Sequence, residues 1–179
     1  IISLHGLGRT YDWLMGYHGF LDQAEVNGYI VVTPLGYIRR GWYGSRETED
    51  QQDSKYSEQD VMEVLRLVRD ELSVDNNRIY LWGHSMGGAG TYHIAAKYPD
   101  LFAGLGVAAP APESNLDIKA TLERIKHIPI FVLQGDEDGL VTLTRRWVEQ
   151  MQSLGMQHVY AEIPGGDHSL VISQNSEHM

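Results

Sequence analysis

The feature that most constrains this chain is a serine between two glycines, Gly83-His84-Ser85-Met86-Gly87, directly after the short, largely apolar run 78–82. A serine on a sharp strand-to-helix turn sits in a strained backbone, and the residues two positions before and after it must be small. The run before the serine predicts a strand, and the residues after it predict a helix. The pattern therefore predicts a tight turn that exposes Ser85 at the end of a strand.

Strand-like and helix-like segments alternate along the rest of the chain. The predicted strands are 1–4, 29–33, 79–82, 102–109, 130–133 and 158–163, and the predicted helices are 12–27, 87–98, 116–125, 142–154 and one that begins at Ser57. Residues 35–56 are predicted to form a long surface loop, and Ser57 to cap the helix after it. This alternation predicts an α/β protein with a mostly parallel sheet and helices on both faces.

A serine nucleophile needs a base within hydrogen-bonding reach and an acid that orients the base, and candidates for both follow Ser85. Asp138 comes shortly after the predicted strand 130–133, and His168 follows the last predicted strand. Both positions lie beyond the carboxyl ends of predicted parallel strands, where an open α/β sheet gathers its active site. The order serine, acid, histidine is that of the α/β hydrolases. We therefore predict a catalytic set of Ser85, Asp138 and His168.

The residues alone leave alternatives open for two of these roles. Asp136 and Glu137 stand beside Asp138 and could supply the carboxylate instead. His158, inside a predicted strand, and His178, near the end of the chain, are the other candidates for the base.

A second glycine-containing loop, His5-Gly6-Leu7-Gly8, also follows a predicted strand. A tetrahedral intermediate of acyl transfer needs two N–H donors aimed at its developing oxyanion. The backbone N–H of Met86, which follows the serine, is one candidate, and the N–H of Leu7 is the other.

Several aromatic side chains could line a substrate pocket. The candidates are Tyr11, Trp13, Trp42 and Tyr43, with ordinary aromatic packing as the alternative for each. His84, beside the serine, is predicted to pack or to form a pocket wall rather than to act as a second base.

Composition and motifs exclude several other classes of function. The formal net charge of -10 argues against nucleic acid and anionic membranes as partners, and no apolar stretch is long enough to span a bilayer. The chain has no cysteine, which excludes a thiolate nucleophile within it. Neither a phosphate-binding Gly-Lys-Ser/Thr motif nor a zinc-binding His-Glu-x-x-His motif occurs. The sequence therefore predicts no cofactor and no metal.

These motifs together resemble an α/β-hydrolase-fold serine esterase. The chain is similar to the polyhydroxybutyrate-depolymerase and feruloyl-esterase-like group, and to a lesser degree to the esterase D group. The matching segments are 4–8, 28–34, 74–80, 83–88, 98–103, 135–141 and His168. The resemblance implies an α/β-hydrolase fold and ester hydrolysis without a cofactor. The group's Gly-x-x-Asp-x-x-Val pattern falls on Gly135, Asp138 and Val141, which favours Asp138 over Asp136.

We therefore expect residues 1–179 to form a single α/β-hydrolase domain, trimmed at both ends. About twenty residues separate the predicted strands 102–109 and 130–133, which leaves room for one helix and a minimal cap at most. The hypothesis is a carboxylesterase acting on a small or polymer-linked ester. A peptidase, an acyltransferase and a non-catalytic binding module remain alternatives. The resemblance alone implies a secreted or periplasmic location, with the cytoplasm as the alternative, and the oligomeric state is left open.

Overall fold

The computed structural model describes residues 1–48, 51–169 and 171. The strands are β1 (Ile2–Leu4), β2 (Tyr80–His84), β3 (Gly104–Ala108), β4 (Ile130–Gly135) and β5 (His158–Ile163). The helices are α1 (His18–Val26), α2 (Gln51–Glu71), α3 (Met86–Lys97), α4 (Ile118–Ile125) and α5 (Val141–Ser153), with short 3₁₀ turns at Trp13–Gly16, Trp42–Gly44 and Pro99–Leu101. No helix in this part of the chain is long and apolar enough to cross a membrane.

The five strands form one parallel sheet in the order β1-β2-β3-β4-β5. Because all neighbours run parallel, their carboxyl ends meet at one edge of the sheet. The segments that follow β1, β2, β4 and β5 therefore meet at this edge, and these carry Leu7, Ser85, Asp138 and His168.

Helices cover both faces of the sheet, as the alternation predicts. Side chains of α2, α3, α4 and α5 pack on one face in the larger apolar cluster, which includes Leu81, Val107 and Val132. Side chains before and within α1 pack on the other face around Trp82. Successive strand residues point to opposite faces, so Leu81 and Trp82 belong to different clusters.

Two elements predicted within residues 12–33 differ from the structure. The segment 29–33 is not a strand of the sheet but makes a single bridge, between Val32 and Ile2, outside the edge strand β1. Its residues are half-buried or exposed rather than buried on both faces. The helix predicted over 12–27 breaks at Tyr17 (φ −110°, ψ 72°), where glycines on either side weaken helix formation.

The helix predicted to start at Ser57 begins earlier, at Gln51. Ser57 lies inside α2 and is fully buried, and its hydroxyl accepts a hydrogen bond from the backbone N–H of Tyr43 at 3.0 Å. The predicted capping role of Ser57 is therefore wrong, because its oxygen serves a neighbouring turn instead. Glu49 and Asp50, which belong to the predicted loop 35–56, lie outside the described residues.

The buried carboxylate of Glu58 ties α2 to α3, the helix that begins immediately after Ser85. It accepts hydrogen bonds from His93 at 2.8 Å, from Lys97 at 2.6 Å and from the Tyr98 hydroxyl at 3.0 Å. Burial opposes the charged form of Glu58, but these three donors outweigh it and lower the pKa of Glu58 to about 2.

We expect Glu58→Gln to lower the free energy of unfolding at pH 7 by about 1–3 kcal/mol, since it removes the charge that these donors face. The folded pKa lies below the ordinary value of 4.5, so the stabilisation is complete above that pH and is lost as the pH falls toward about 2. Urea unfolding measured from pH 7 to pH 3 should show that the difference in the free energy of unfolding between the wild type and the variant becomes smaller as the pH falls. Glu63→Gln on the exposed face of α2 is the matched control, and an equal deficit there would contradict the account.

Candidate active site

Ser85 lies in the tight turn between β2 and α3, with left-handed backbone angles of φ 57° and ψ −114°. The flanking glycines are required by close backbone contacts. A β-carbon added at Gly83 would lie 2.2 Å from the carbonyl oxygen of Gly87, and one added at Gly87 would lie 2.1 Å from that of Leu4. The sharp turn predicted from the sequence is therefore confirmed.

The strained backbone of Ser85 is held from three directions. Its N–H donates to the Ala108 carbonyl at 2.9 Å. Its carbonyl accepts from the N–H groups of Ala89 at 3.1 Å and Ala111 at 3.0 Å. With its backbone fixed in this way, the Cα–Cβ bond of Ser85 has a defined direction.

The three side chains predicted from the sequence meet in one hydrogen-bonded chain. His168 Nε2 lies 2.9 Å from Ser85 Oγ, and His168 Nδ1 lies 2.8 Å from Asp138 Oδ2. An ionised carboxylate only accepts hydrogen bonds, so Nδ1 carries the proton and Nε2 of the neutral ring is left to accept from the serine hydroxyl. Asp138 is buried, whereas the imidazole is 38% exposed and can be reached from solvent.

The other acids near Asp138 have different contacts. Asp136 and Glu137 are both exposed. Asp136 Oδ1 accepts the N–H of Gly165 at 2.7 Å, and the N–H of Glu137 donates to the Gly166 carbonyl at 3.0 Å. These bonds hold the loop that carries His168 against the end of β4.

The alternative histidine His158 does not contact Ser85 in the described structure. His158 lies at the start of β5, and its Nδ1 donates to the Met156 carbonyl at 2.9 Å. His178 lies outside the described residues.

His84 packs beneath the loop that carries His168. Packing is one of the two roles predicted for it. Its Nε2 donates to the His168 carbonyl oxygen at 2.8 Å, and its ring stacks on Trp13 with 5.6 Å between centroids. Burial lowers the pKa of His84 to about 4, despite the hydrogen bond to His168, so the ring is neutral at pH 7. His84 is buried, which fits the packing role, and the pocket-wall role stays a prediction.

The glycine loop after β1 lies against Ser85. A β-carbon added at Gly6 would be 3.6 Å from Cβ of Ser85 and 3.0 Å from Nδ1 of His84. The next residue, Leu7, has a side chain that is 47% exposed. Met86 is the first residue of α3, where a backbone N–H has no acceptor within the helix. The oxyanion role of the Leu7 and Met86 N–H groups stays a prediction.

The structure corrects the predicted aromatic pocket at Tyr43. Tyr43 is fully buried, and its hydroxyl accepts the backbone N–H of His5 at 3.1 Å. It is a core residue that supports the glycine loop, and not a pocket wall. Trp13 is half-buried and stacks on Trp82 as well as His84, and Trp42 is half-buried beneath the guanidinium of Arg46.

The side chain of Tyr11 is 59% exposed. A substrate contact by Tyr11, Trp13 or Trp42 stays a prediction.

Sequence reasoning missed two buried polar residues behind Asp138. Gln134 Nε2 donates to Asp138 Oδ2 at 2.8 Å, and Gln134 Oε1 accepts from Thr144 Oγ1 at 2.7 Å. The alternation of side chains along β4 was the signal that could have revealed Gln134. Gln134 continues the inward series of Ile130 and Val132, where an apolar residue is expected. A polar residue at such a position needs a buried partner.

No group of three or more histidine, aspartate or glutamate side chains within the described ranges is arranged to hold a metal ion.

Comparison with known proteins places this chain among esterases. The family model described as "Putative esterase" matches residues 1–175. The chain belongs to this esterase family. It is 26% identical, over 141 residues, to a bifunctional acetylxylan esterase/xylanase of Neocallimastix patriciarum, covering 79% of this chain and 19% of the relative. The chain spans less than half the length of the curated relatives it matches, 19% and 40% in two cases.

Solved structures show the same fold. An S-formylglutathione hydrolase from Agrobacterium tumefaciens superposes with a TM-score of 0.78 at 20% identity, covering 98% of this chain and 79% of that one. A CE1 ferulic acid esterase from Anaeromyces mucronatus superposes with a TM-score of 0.74 at 21% identity, covering 96% and 74%. At these identities the likeness is one of fold, and it confirms the α/β-hydrolase architecture of this esterase-family chain.

Proposed function

We propose that this chain is a serine carboxylesterase that works through an acyl-enzyme on Ser85. The observation that carries the proposal is the hydrogen-bonded chain from Ser85 through His168 to Asp138, at the carboxyl edge of a parallel sheet. A serine hydroxyl alone is a weak nucleophile, and this arrangement supplies both the base and the group that orients the base.

In the proposed first half-reaction, Ser85 Oγ attacks the ester carbonyl carbon while His168 Nε2 takes the hydroxyl proton. The tetrahedral intermediate then collapses, and the imidazolium gives that proton to the leaving alcohol. Asp138 holds the imidazole in its Nδ1–H form and stabilises the imidazolium. In the second half-reaction water takes the place of the serine hydroxyl as the nucleophile and attacks the carbonyl carbon of the acyl-enzyme while His168 takes its proton. The intermediate then collapses, His168 returns the proton to Ser85 Oγ, and the free acid is released.

The oxyanion of each tetrahedral intermediate is proposed to accept from the N–H groups of Leu7 and Met86. Met86 begins α3, so its N–H points out of the helix at the end that carries a partial positive charge. The loop of Leu7 packs on Ser85 through Gly6. Donors fixed by folding in this way need no reorganisation when the charge develops.

Short or solvent-exposed acyl groups are the proposed substrates. The chain between β3 and β4 forms the single helix α4, whose apolar side chains join the cluster on the face of the sheet that packs against α3 and α5. The imidazole of His168 is partly exposed. The similarity to an acetylxylan esterase supports acetyl esters of hydroxyl-rich polymers as candidates.

A panel of esters tests this function. We expect the purified chain to hydrolyse p-nitrophenyl acetate and butyrate, and to act poorly on the palmitate ester, because an open site buries little of a long acyl chain. Acetylated xylan, a feruloyl ester and polyhydroxybutyrate should be compared in the same assay. No hydrolysis of any ester, or faster cleavage of the matching anilide, would contradict the proposal.

A competing alcohol in that assay separates hydrolysis from transfer. For a hydrolase, adding the alcohol should leave free acid as the main product. Formation of a new ester as the main product would show an acyltransferase instead.

A further inference from the structure

The carboxylate of Asp138 is surrounded by donors, and only one of them belongs to the proposed reaction. Its Oδ2 accepts from His168 Nδ1 and from Gln134 Nε2, each at 2.8 Å. Its Oδ1 accepts the backbone N–H of Leu140 at 3.0 Å. Because both oxygens are engaged, the plane of the carboxylate is fixed relative to the imidazole.

The amide of Gln134 is itself held in one orientation. Its Oε1 accepts from the hydroxyl of Thr144, which lies inside α5, at 2.7 Å. Turning the amide over would point its oxygen at the Asp138 carboxylate, and two acceptors repel each other. The Thr144 hydroxyl therefore donates to Gln134, and Gln134 donates to Asp138.

Both residues are completely buried, so their polar atoms cannot form hydrogen bonds with bulk water. Gln134 and Thr144 are each 0% exposed, and Gln134 lies in the inward register of β4 that Ile130 and Val132 fill with apolar side chains. An apolar residue would fill the same space without the cost of burying an amide. Its Nε2 donates to Asp138 Oδ2 at 2.8 Å and to the backbone carbonyl of Gly135 at 3.1 Å, so the amide links the carboxylate to the end of β4.

We propose that Gln134 and Thr144 are positioning residues that orient the Asp138 carboxylate toward His168, an inference that rests on the function proposed above. Neither residue touches the reacting atoms. They act through Asp138, so their removal should lower kcat and leave KM for the ester nearly unchanged.

Gln134→Met tests the donation by removing the amide at similar volume. We expect kcat for p-nitrophenyl acetate to fall about tenfold or more at every pH, because a hydrogen bond to a charged group is lost. The rate of covalent labelling by a fluorophosphonate should fall by a similar factor, because that reaction also needs the oriented base.

Gln134→Glu gives a readout that packing alone would not move. A protonated glutamic acid can still donate to Asp138, whereas an ionised one places two carboxylates face to face, so the pair titrates as a unit. We expect the kcat of this variant to approach that of the wild type on the acidic side and to fall as the pH rises toward alkaline values. The wild type and Gln134→Met should lack this additional decline.

Substitutions at Thr144 keep the inference testable if the Gln134 variants fold poorly. Thr144→Ser retains the hydroxyl and should keep most of the activity, whereas Thr144→Val retains the volume, removes the donor and should lose severalfold in kcat. Thermal unfolding of each variant measures the structural cost separately. Equal kcat for Ser and Val at position 144, a wild-type kcat for Gln134→Met, or a wild-type pH profile for Gln134→Glu would overturn the positioning role.

The same experiment separates this inference from the function on which it rests. If the wild type hydrolyses the ester in a Ser85-dependent way and every Gln134 and Thr144 variant matches it, only the positioning role fails. If the wild type shows no Ser85-dependent hydrolysis, both proposals fail.

Discussion

Replacing Ser85 with alanine is expected to lower kcat for p-nitrophenyl acetate by about a million-fold, the scale seen when a triad serine is removed. The reason is that His168 would still be present as the base but would have no hydroxyl to activate. The residual rate would come from water attacking a substrate bound near the backbone donors. Steady-state kinetics with a fluorophosphonate-labelling assay in parallel would measure the loss.

The fold should survive this substitution. Among the described residues the Ser85 side chain makes one hydrogen bond, to His168, and alanine keeps the same β-carbon in the same strained turn. Ser153→Ala is the matched control, since this exposed serine at the end of α5 bonds only to the Gln150 carbonyl among the described contacts. We expect both variants to unfold within a few degrees of the wild type, with Ser153→Ala fully active. Wild-type activity in Ser85→Ala would remove the nucleophile assignment.

Asp138→Asn is expected to lower kcat by about 10⁴-fold near neutral pH, as comparable substitutions of a triad aspartate do. An amide turned with its NH₂ toward His168 would favour the tautomer in which Nε2 carries the proton and cannot accept from Ser85. The donor Gln134 Nε2 faces the same oxygen, so the amide would also meet a second donor. The kcat measured from pH 6 to pH 9 tests this expectation.

The neighbouring acids supply the controls for Asp138. Glu137→Gln changes an exposed side chain and should leave kcat unchanged. Asp136→Asn weakens the bond to the N–H of Gly165 and should cost far less than Asp138→Asn. A loss in either control as large as that in Asp138→Asn would show that the acid has been assigned to the wrong residue.

Much of the site could be predicted because its residues follow strands in a parallel sheet. The apolar runs that became β2 and β4 end at Gly83-His84 and Gln134-Gly135, so Ser85 and Asp138 had to lie at the same edge. The glycines around Ser85 carried further information, since only glycine tolerates the backbone contacts that form the turn. Local patterns sufficed where local geometry decides the structure.

The errors arose where distant contacts decide the structure. Serine is a residue type that often caps helices. The hydroxyl of Ser57 instead accepts from the Tyr43 N–H, and the helix extends past Ser57 toward the amino end. Tyr43 looked available for a pocket, yet it fills a space that the absence of a side chain at Gly36 and Gly90 leaves open. Neither contact is visible in the sequence around the residues concerned.

The most direct test of the account is to locate the covalent adduct that a fluorophosphonate forms with the wild-type protein. Tryptic cleavage after Arg78 and Lys97 releases the peptide 79–97, in which Ser85 is the only serine. We predict one adduct per chain, carried by Ser85 in this peptide and formed far more slowly in the Asp138→Asn variant. An unlabelled Ser85, or a label on another residue at the same rate, would contradict it.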